Sequence, residues 1–150
     1  MRTSENIYNY IKSQEMPNEK AYKEHDKKVY NSIGYGHSNR KVTPEMECNI
    51  GYMEALFKQD MEKQDYNISK WMSDFNIRLN QNQFDALSSL CYSAGWVGLR
   101  HTRILKMIME NKANTNEFKE LWLNYDKMRG VKNNALGKRR QFEYQLWTKQ

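Results

Sequence analysis

The sequence predicts an α+β fold, mostly helical, with one short antiparallel sheet near the N-terminus. Helix signals recur along most of the chain, as apolar residues at helical spacing behind polar caps. Strand-like alternation is confined to one stretch, Val29 to Tyr35 ("VYNSIGY"), where Gly34 and Gly36 would interrupt a helix but allow a bulge or close backbone approach. With two prolines and seven glycines in 150 residues, the chain has no flexible linker, and no repeat at a solenoid period is visible. One domain spanning 1–150 is expected.

Taken in order, "SENIYNYIKSQ" reads as a short helix, with Ser4 as its N-cap and Ile7, Tyr10 and Ile11 on one face. Pro17 forbids simple continuation and puts Glu15 at or just past the helix end. After the strand, "TPEMECNIGYMEALFKQDM" predicts a helix starting at Thr43 as N-cap and Pro44 at the first helical position, running through Ala55, Leu56 and Asp60. Asn80 with Gln83, and Asn114 with Glu117, have capping-box spacing. Behind them, Phe84, Leu87 and Cys91 form one inward stripe, and Phe118, Leu121, Trp122 and Tyr125 another. A last helix, roughly Ala135 to Trp147, is expected to turn Phe142 and Leu146 inward, with Arg139, Arg140 and Glu143 spaced for helical ion pairs.

Composition narrows the function classes. An apolar fraction of 39% with 13% aromatic residues describes a folded globule. No run approaches the roughly 18 apolar residues of a membrane span. The stretch "MRTSENIYNYIKSQ" has no apolar core of a secretory signal, so synthesis in the cytoplasm is expected. Cys48 and Cys91 have no metal or redox spacing and read as two buried, reduced thiols. His25, His37 and His101 show no metal-binding pattern either, and neither metal nor cofactor is expected. The net charge of +6 is uneven: residues 1–100 carry 13 basic and 13 acidic residues, and residues 101–150 carry 11 and 5. A basic last third attracts polyanions, but no nucleic-acid motif accompanies it, and nucleic acid is not an expected partner.

Three acids, Glu15, Glu24 and Asp26, precede the Gly-rich strand that ends at His37. Acids on a solvated loop are common; carboxylates flanking a strand that needs two glycines suggest a cleft. The order of blocks weighs for the cleft: an acid at a helix end, "AY" at Ala21–Tyr22, "SIGYGH", "ALFKQD", "LNQNQFDALSSLCYSAG" and "GKRRQFEYQLW". This order, from Ile7 to Trp147, resembles the phage-type lysozymes (endolysins), muramidases that cut bacterial peptidoglycan.

The resemblance implies a lysozyme-like fold. A small lobe of about 12–60 would hold the sheet, and a long helix would join it to a helical lobe of about 61–150 that also takes the N-terminal helix. It implies cleavage of the β-1,4 bond between N-acetylmuramic acid and N-acetylglucosamine by a monomer whose partner is the glycan strand. The enzyme would be made in a phage-infected or lysogenic bacterium and reach the wall after release. Glu15 takes the place of the general acid. The second carboxylate is Asp26 counting back from the strand, or Glu24 counting forward from Tyr22, with Asp26 matching the family's residue type. Ser32 stands where the family has Thr, keeping a hydroxyl able to hold the attacking water or to orient the carboxylate. Ser38, Tyr92, Ser93 and Thr102 would contact sugar, and His37 would pair with Asp60 as a structural link. Trp96 could stack on a sugar or pack within the lobe. Met16 and Pro17 follow the acid where Gly is usual, and Glu19 replaces a common apolar residue. Two other functions stay open: a lytic transglycosylase needing only Glu15, and a non-catalytic binder of the wall or another polyanion.

Overall fold

A computed structural model describes residues 1–23, 30–39, 41–128 and 130–150. Its contacts divide the chain into two units, Glu5–Lys63 and the pair of segments Met1–Ser4 and Gln64–Gln150.

In the first unit, helix α1 (Glu5–Gln14) buries Ile7 and Ile11, the spacing read from the sequence. It is followed by a three-stranded sheet, β1 (Asn18–Tyr22), β2 (Ser32–Gly34) and β3 (His37–Ser38), with β2 central and both pairings antiparallel. The predicted strand is thus shorter than Val29–Tyr35. Its partner β1, "NEKAY", had no β-branched residue to announce it. Gly34 (φ 65°) lies against helix α2 (Ile50–Asp74), where an added Cβ would stand 3.1 Å from Met53 Cγ. That is the close approach its sequence position suggested.

Helix α2 does not start at Thr43. The Thr43 carbonyl accepts from Met46 N–H in a turn, and β1 then captures the next residues: Ala21 N–H donates to the Met46 carbonyl (2.9 Å) and Cys48 N–H to the Glu19 carbonyl (2.7 Å). Backbone groups spent on a sheet edge are not available to a helix. The helix begins after this, capped by Asn49, whose Oδ1 accepts from Tyr52 N–H at 2.9 Å. Ile33, Val42 and Leu56 form a small core with Ala21 and Cys48 against it. Tyr8 and Tyr35 each meet the buried Phe57 edge-on.

The second unit is helical: the end of α2, then α3 (Gln81–Ala94), α4 (Trp96–Leu99), α5 (Arg103–Met109), α6 (Asn116–Leu123) and α7 (Asn134–Trp147). A hairpin of β4 (Lys127–Met128) and β5 (Val131–Lys132) connects α6 to α7. The Asn80–Gln83 capping box forms at the start of α3, which buries Phe84, Leu87 and Cys91 as expected. Helix α6 starts one residue later than expected: Thr115 caps it by accepting from Phe118 N–H, and Glu117 instead receives Arg103 Nε at 2.7 Å. Phe118 and Trp122 are buried and Leu121 packs at the core's margin, but Tyr125 falls beyond the helix and is exposed.

Helix α7 corrects a second pattern. Phe142 and Leu146 are half-buried, whereas Arg139, Arg140, Glu143 and Trp147 are buried. These charges are tolerated inside because they meet each other and α3. Glu143 accepts from Ser89 Oγ (2.6 Å) and Trp122 Nε1 (3.3 Å), and lies 3.4 and 2.9 Å from the Nε atoms of Arg139 and Arg140. Arg139 also donates to the Ser89 carbonyl. Burial raises the Glu143 carboxyl above its usual range, against the pull of Arg140 and Arg139.

The chain start is tied into this second unit. Thr3 donates to Asp65 through its N–H and hydroxyl, and Ser4 does the same to Asp85, at 2.6–2.9 Å. The Ser4 hydroxyl, expected to cap α1, thus donates to a residue of α3.

Candidate active site

Glu15 follows α1 directly. Its N–H donates to the Lys12 carbonyl at 3.2 Å, an i→i−3 bond that tightens the last turn, and its side chain is half-buried. Pro17 then diverts the chain into β1, and Asn18 Nδ2 steadies the bend by donating to the Met16 carbonyl. Met16 projects into solvent. Glu15 therefore stands at the C-terminal pole of a helix, where the backbone dipole opposes negative charge.

A cluster that sequence reading missed holds this helix in place. Lys12 Nζ lies 2.6 Å from Glu54 Oε1 on α2, and Tyr35 Oη donates to the same oxygen at 3.2 Å. The Lys12 ammonium also sits 5.5 Å from the centre of the Tyr35 ring. The hydrogen bond to Glu54 raises the Lys12 pKa above its ordinary value. Burial, then that same acceptor, raises Tyr35. No local signal could reveal this cluster, because Lys12 and Glu54 are far apart in sequence.

His37 and Asp60 meet as a pair: Nδ1 lies 2.9 Å from both carboxylate oxygens. Asn39, which no sequence motif marks, completes the geometry. Lys41 N–H donates to Asn39 Oδ1 (2.8 Å), turning the amide nitrogen toward His37 Nε2 at 3.0 Å. An amide nitrogen only donates, so Nε2 accepts, and Nδ1 carries the proton directed at Asp60. The imidazole joins β3 to α2 and in this arrangement offers no proton of its own on Nε2.

Ser32 and Ser38 are register partners on β2 and β3. Ser32 is fully buried. Ser38 Oγ is buried with no hydrogen-bond partner among the described residues. Glu24 and Asp26, the two candidates for the second carboxylate, and His25 lie outside the described residues.

The remaining expected contacts belong to the second unit. Tyr92 and Ser93 are half-buried at the end of α3, and Ser93 lines a concavity of about 380 Å³ together with Asn124, Tyr125, Lys127 and Arg140. Thr102 precedes α5 and donates its hydroxyl to the Leu99 carbonyl at 2.7 Å, which occupies its proton locally. Trp96 meets Trp71 edge-on and packs against the core. His101 accepts from Arg100 Nε on the exposed surface.

Both thiols are reduced; Cys91 is buried, but Cys48 is only half-buried. Cys48 lines a cavity of about 650 Å³ with Glu19, Lys20 and Glu47, and among the described residues none of the expected site residues shares that cavity. Among the described residues no three His, Cys, Asp or Glu side chains are placed to hold a metal ion.

The chain is similar to known proteins over most of its length. The phage lysozyme family model matches residues 12–143. The endolysin of Bacillus phage B103 is 31% identical over 147 residues, 98% of this chain and 54% of that protein. The endolysin of Bacillus phage PZA is 30% identical over 112 residues, 75% of this chain and 42% of that protein. The chain thus spans about half the length of these relatives. Among solved structures, the muramidase domain of SpmX from Asticaccaulis excentricus superposes with a TM-score of 0.78 at 23% identity, covering 99% of both chains, and shows that the fold is lysozyme-like. A family match that runs from the last turn of α1 into α7 takes in Glu15, the sheet, the His37–Asp60 pair and the buried Arg–Glu cluster, and on it the chain belongs to the phage lysozyme family.

Proposed function

We propose that this chain is a peptidoglycan hydrolase that cleaves the β-1,4 bond between N-acetylmuramic acid and N-acetylglucosamine. The family match across residues 12–143 carries this reading. Glu15 is the general acid. It stands directly after α1, the place that the resemblance gives to the acid protonating the leaving oxygen. Asp26 is the second carboxylate, with Glu24 as the residue to compare against it. It guides a water to the anomeric carbon, and the buried Ser32 hydroxyl orients this carboxylate. Ser38, Tyr92, Ser93 and Thr102 contact the sugars. The His37–Asp60 pair and the Lys12–Glu54–Tyr35 cluster hold the sheet and the end of α1 on α2. The substrate is the wall glycan, met after release from the cell that made the enzyme.

The test is clearing of purified peptidoglycan, with the new chain ends identified by mass spectrometry. New reducing muramic ends are expected. Glu15→Gln should lower the rate by about 10²-fold or more, the usual contribution of a positioned acid. Anhydro ends would instead mark a transglycosylase. Retention on walls that Glu15→Gln leaves unchanged, with no cleavage by either protein, would mark a binder.

A further inference from the structure

We propose that the β4–β5 hairpin is a docking tip for the surface of a bilayer rich in anionic phospholipid, a property separate from hydrolysis. The segment Lys127–Lys132, "KMRGVK", carries three positive charges in six residues and no acid. The nearest acid along the chain, Asp126, is only 3% exposed and is withdrawn from the surface.

Register divides the ribbon into two kinds of face. Lys127 stands opposite Lys132, and Met128 opposite Val131. Successive strand residues point to opposite sides, so lysines occupy one face and apolar side chains the other. All four residues are exposed, Met128 by 51% and Val131 by 69%. Gly130 has φ 78°, and a Cβ there would meet no atom within 4 Å, so the space beside it is open.

Both features are costly without a partner. Like charges directly across a strand pair repel. Among the described residues no carboxylate lies within ion-pair distance of Lys127 or Lys132. Two large apolar side chains stand in water beside them. An anionic bilayer surface answers both. Entering tip first, Met128 and Val131 reach the boundary between headgroups and acyl chains. The lysines follow about 3.3 Å behind, with stems long enough to place their ammonium groups at the phosphates. A polyphosphate wall polymer would satisfy the lysines but offers no apolar phase for Met128 and Val131. A second copy of this chain would set lysine against lysine.

The experiment is flotation of the full chain with vesicles of phosphatidylglycerol and phosphatidylcholine, and with phosphatidylcholine alone, at low and high salt. Binding is expected to the anionic vesicles and to weaken with salt. Met128→Ser with Val131→Ser, and separately Lys127→Ser with Lys132→Ser, should each weaken partitioning by about tenfold. Val131→Trp should strengthen it, because Trp favours the interface. An unchanged circular dichroism melt verifies the folding of these variants. Absence of binding to anionic vesicles overturns the proposal. Binding that is lost with the lysines but indifferent to Met128, Val131 and Val131→Trp also overturns it, and assigns the hairpin to a polyanion such as the wall polymer.

Discussion

Asp65 shows how a single side chain sets a pH dependence. It accepts two bonds from Thr3, yet burial raises its pKa above the ordinary carboxylate value, with the Thr3 bonds only partly offsetting this. A raised folded-state pKa means that the folded chain keeps a proton the unfolded chain has already released. The group's contribution to stability is therefore complete below the unfolded value and is lost as pH rises through the raised folded value. Asp65→Asn removes this dependence. Thermal melts from acid to neutral pH should show the variant gaining on the parent as pH climbs; a constant offset would mean that Asp65 does not titrate in that window.

Helices in this chain are fixed at their starts by caps and along their lengths by what they meet. At α3 the two kinds of information agree: Asn80 Oδ1 accepts from Gln83 N–H, and Gln83 Oε1 accepts from Asn80 N–H. Asn80→Ala removes one half of this exchange and should cost about 1 kcal/mol in denaturant unfolding. At α2 they disagree, because β1 claims the backbone at Met46 and Cys48 and pushes the start back to Asn49. Between α3 and α7, Glu143 binds elements rather than starting one. Glu143→Ala would leave Arg139 and Arg140 buried without that carboxylate, and a loss of about 3–5 kcal/mol is expected in the same measurement.

For the whole molecule the distribution of charge matters more than its total. The excess behind the net charge of +6 lies in residues 101–150, in the second unit. Attraction to an anionic wall through exposed charges is screened by salt. Association with purified walls should therefore weaken steadily from low to high ionic strength. Pull-down of the chain on walls across a salt series measures that slope. Retention indifferent to salt would show that uncharged contacts dominate.

The sequence by itself determined the fold class, the inward face of α1 and α3, the capping box at Asn80, the need for glycine at Gly34 and the placing of Glu15 at a helix end. Each of these depends on residues within a few positions of one another, where periodicity, caps and backbone limits act directly. Tertiary structure decided the rest. Strand β1 exists because β2 and the Met46–Cys48 backbone exchange hydrogen bonds with it, not because "NEKAY" favours extension. The turn at Thr43 carries good helix-start residues, yet long-range pairing outweighs their local preference. Arg140 and Glu143 are buried because Ser89 and Trp122 arrive from other helices, and Lys12, Glu54 and Asn39 acquire their roles only once distant segments meet. Local preferences are worth tenths of a kcal/mol to about one, and a set of partners brought together by folding exceeds them.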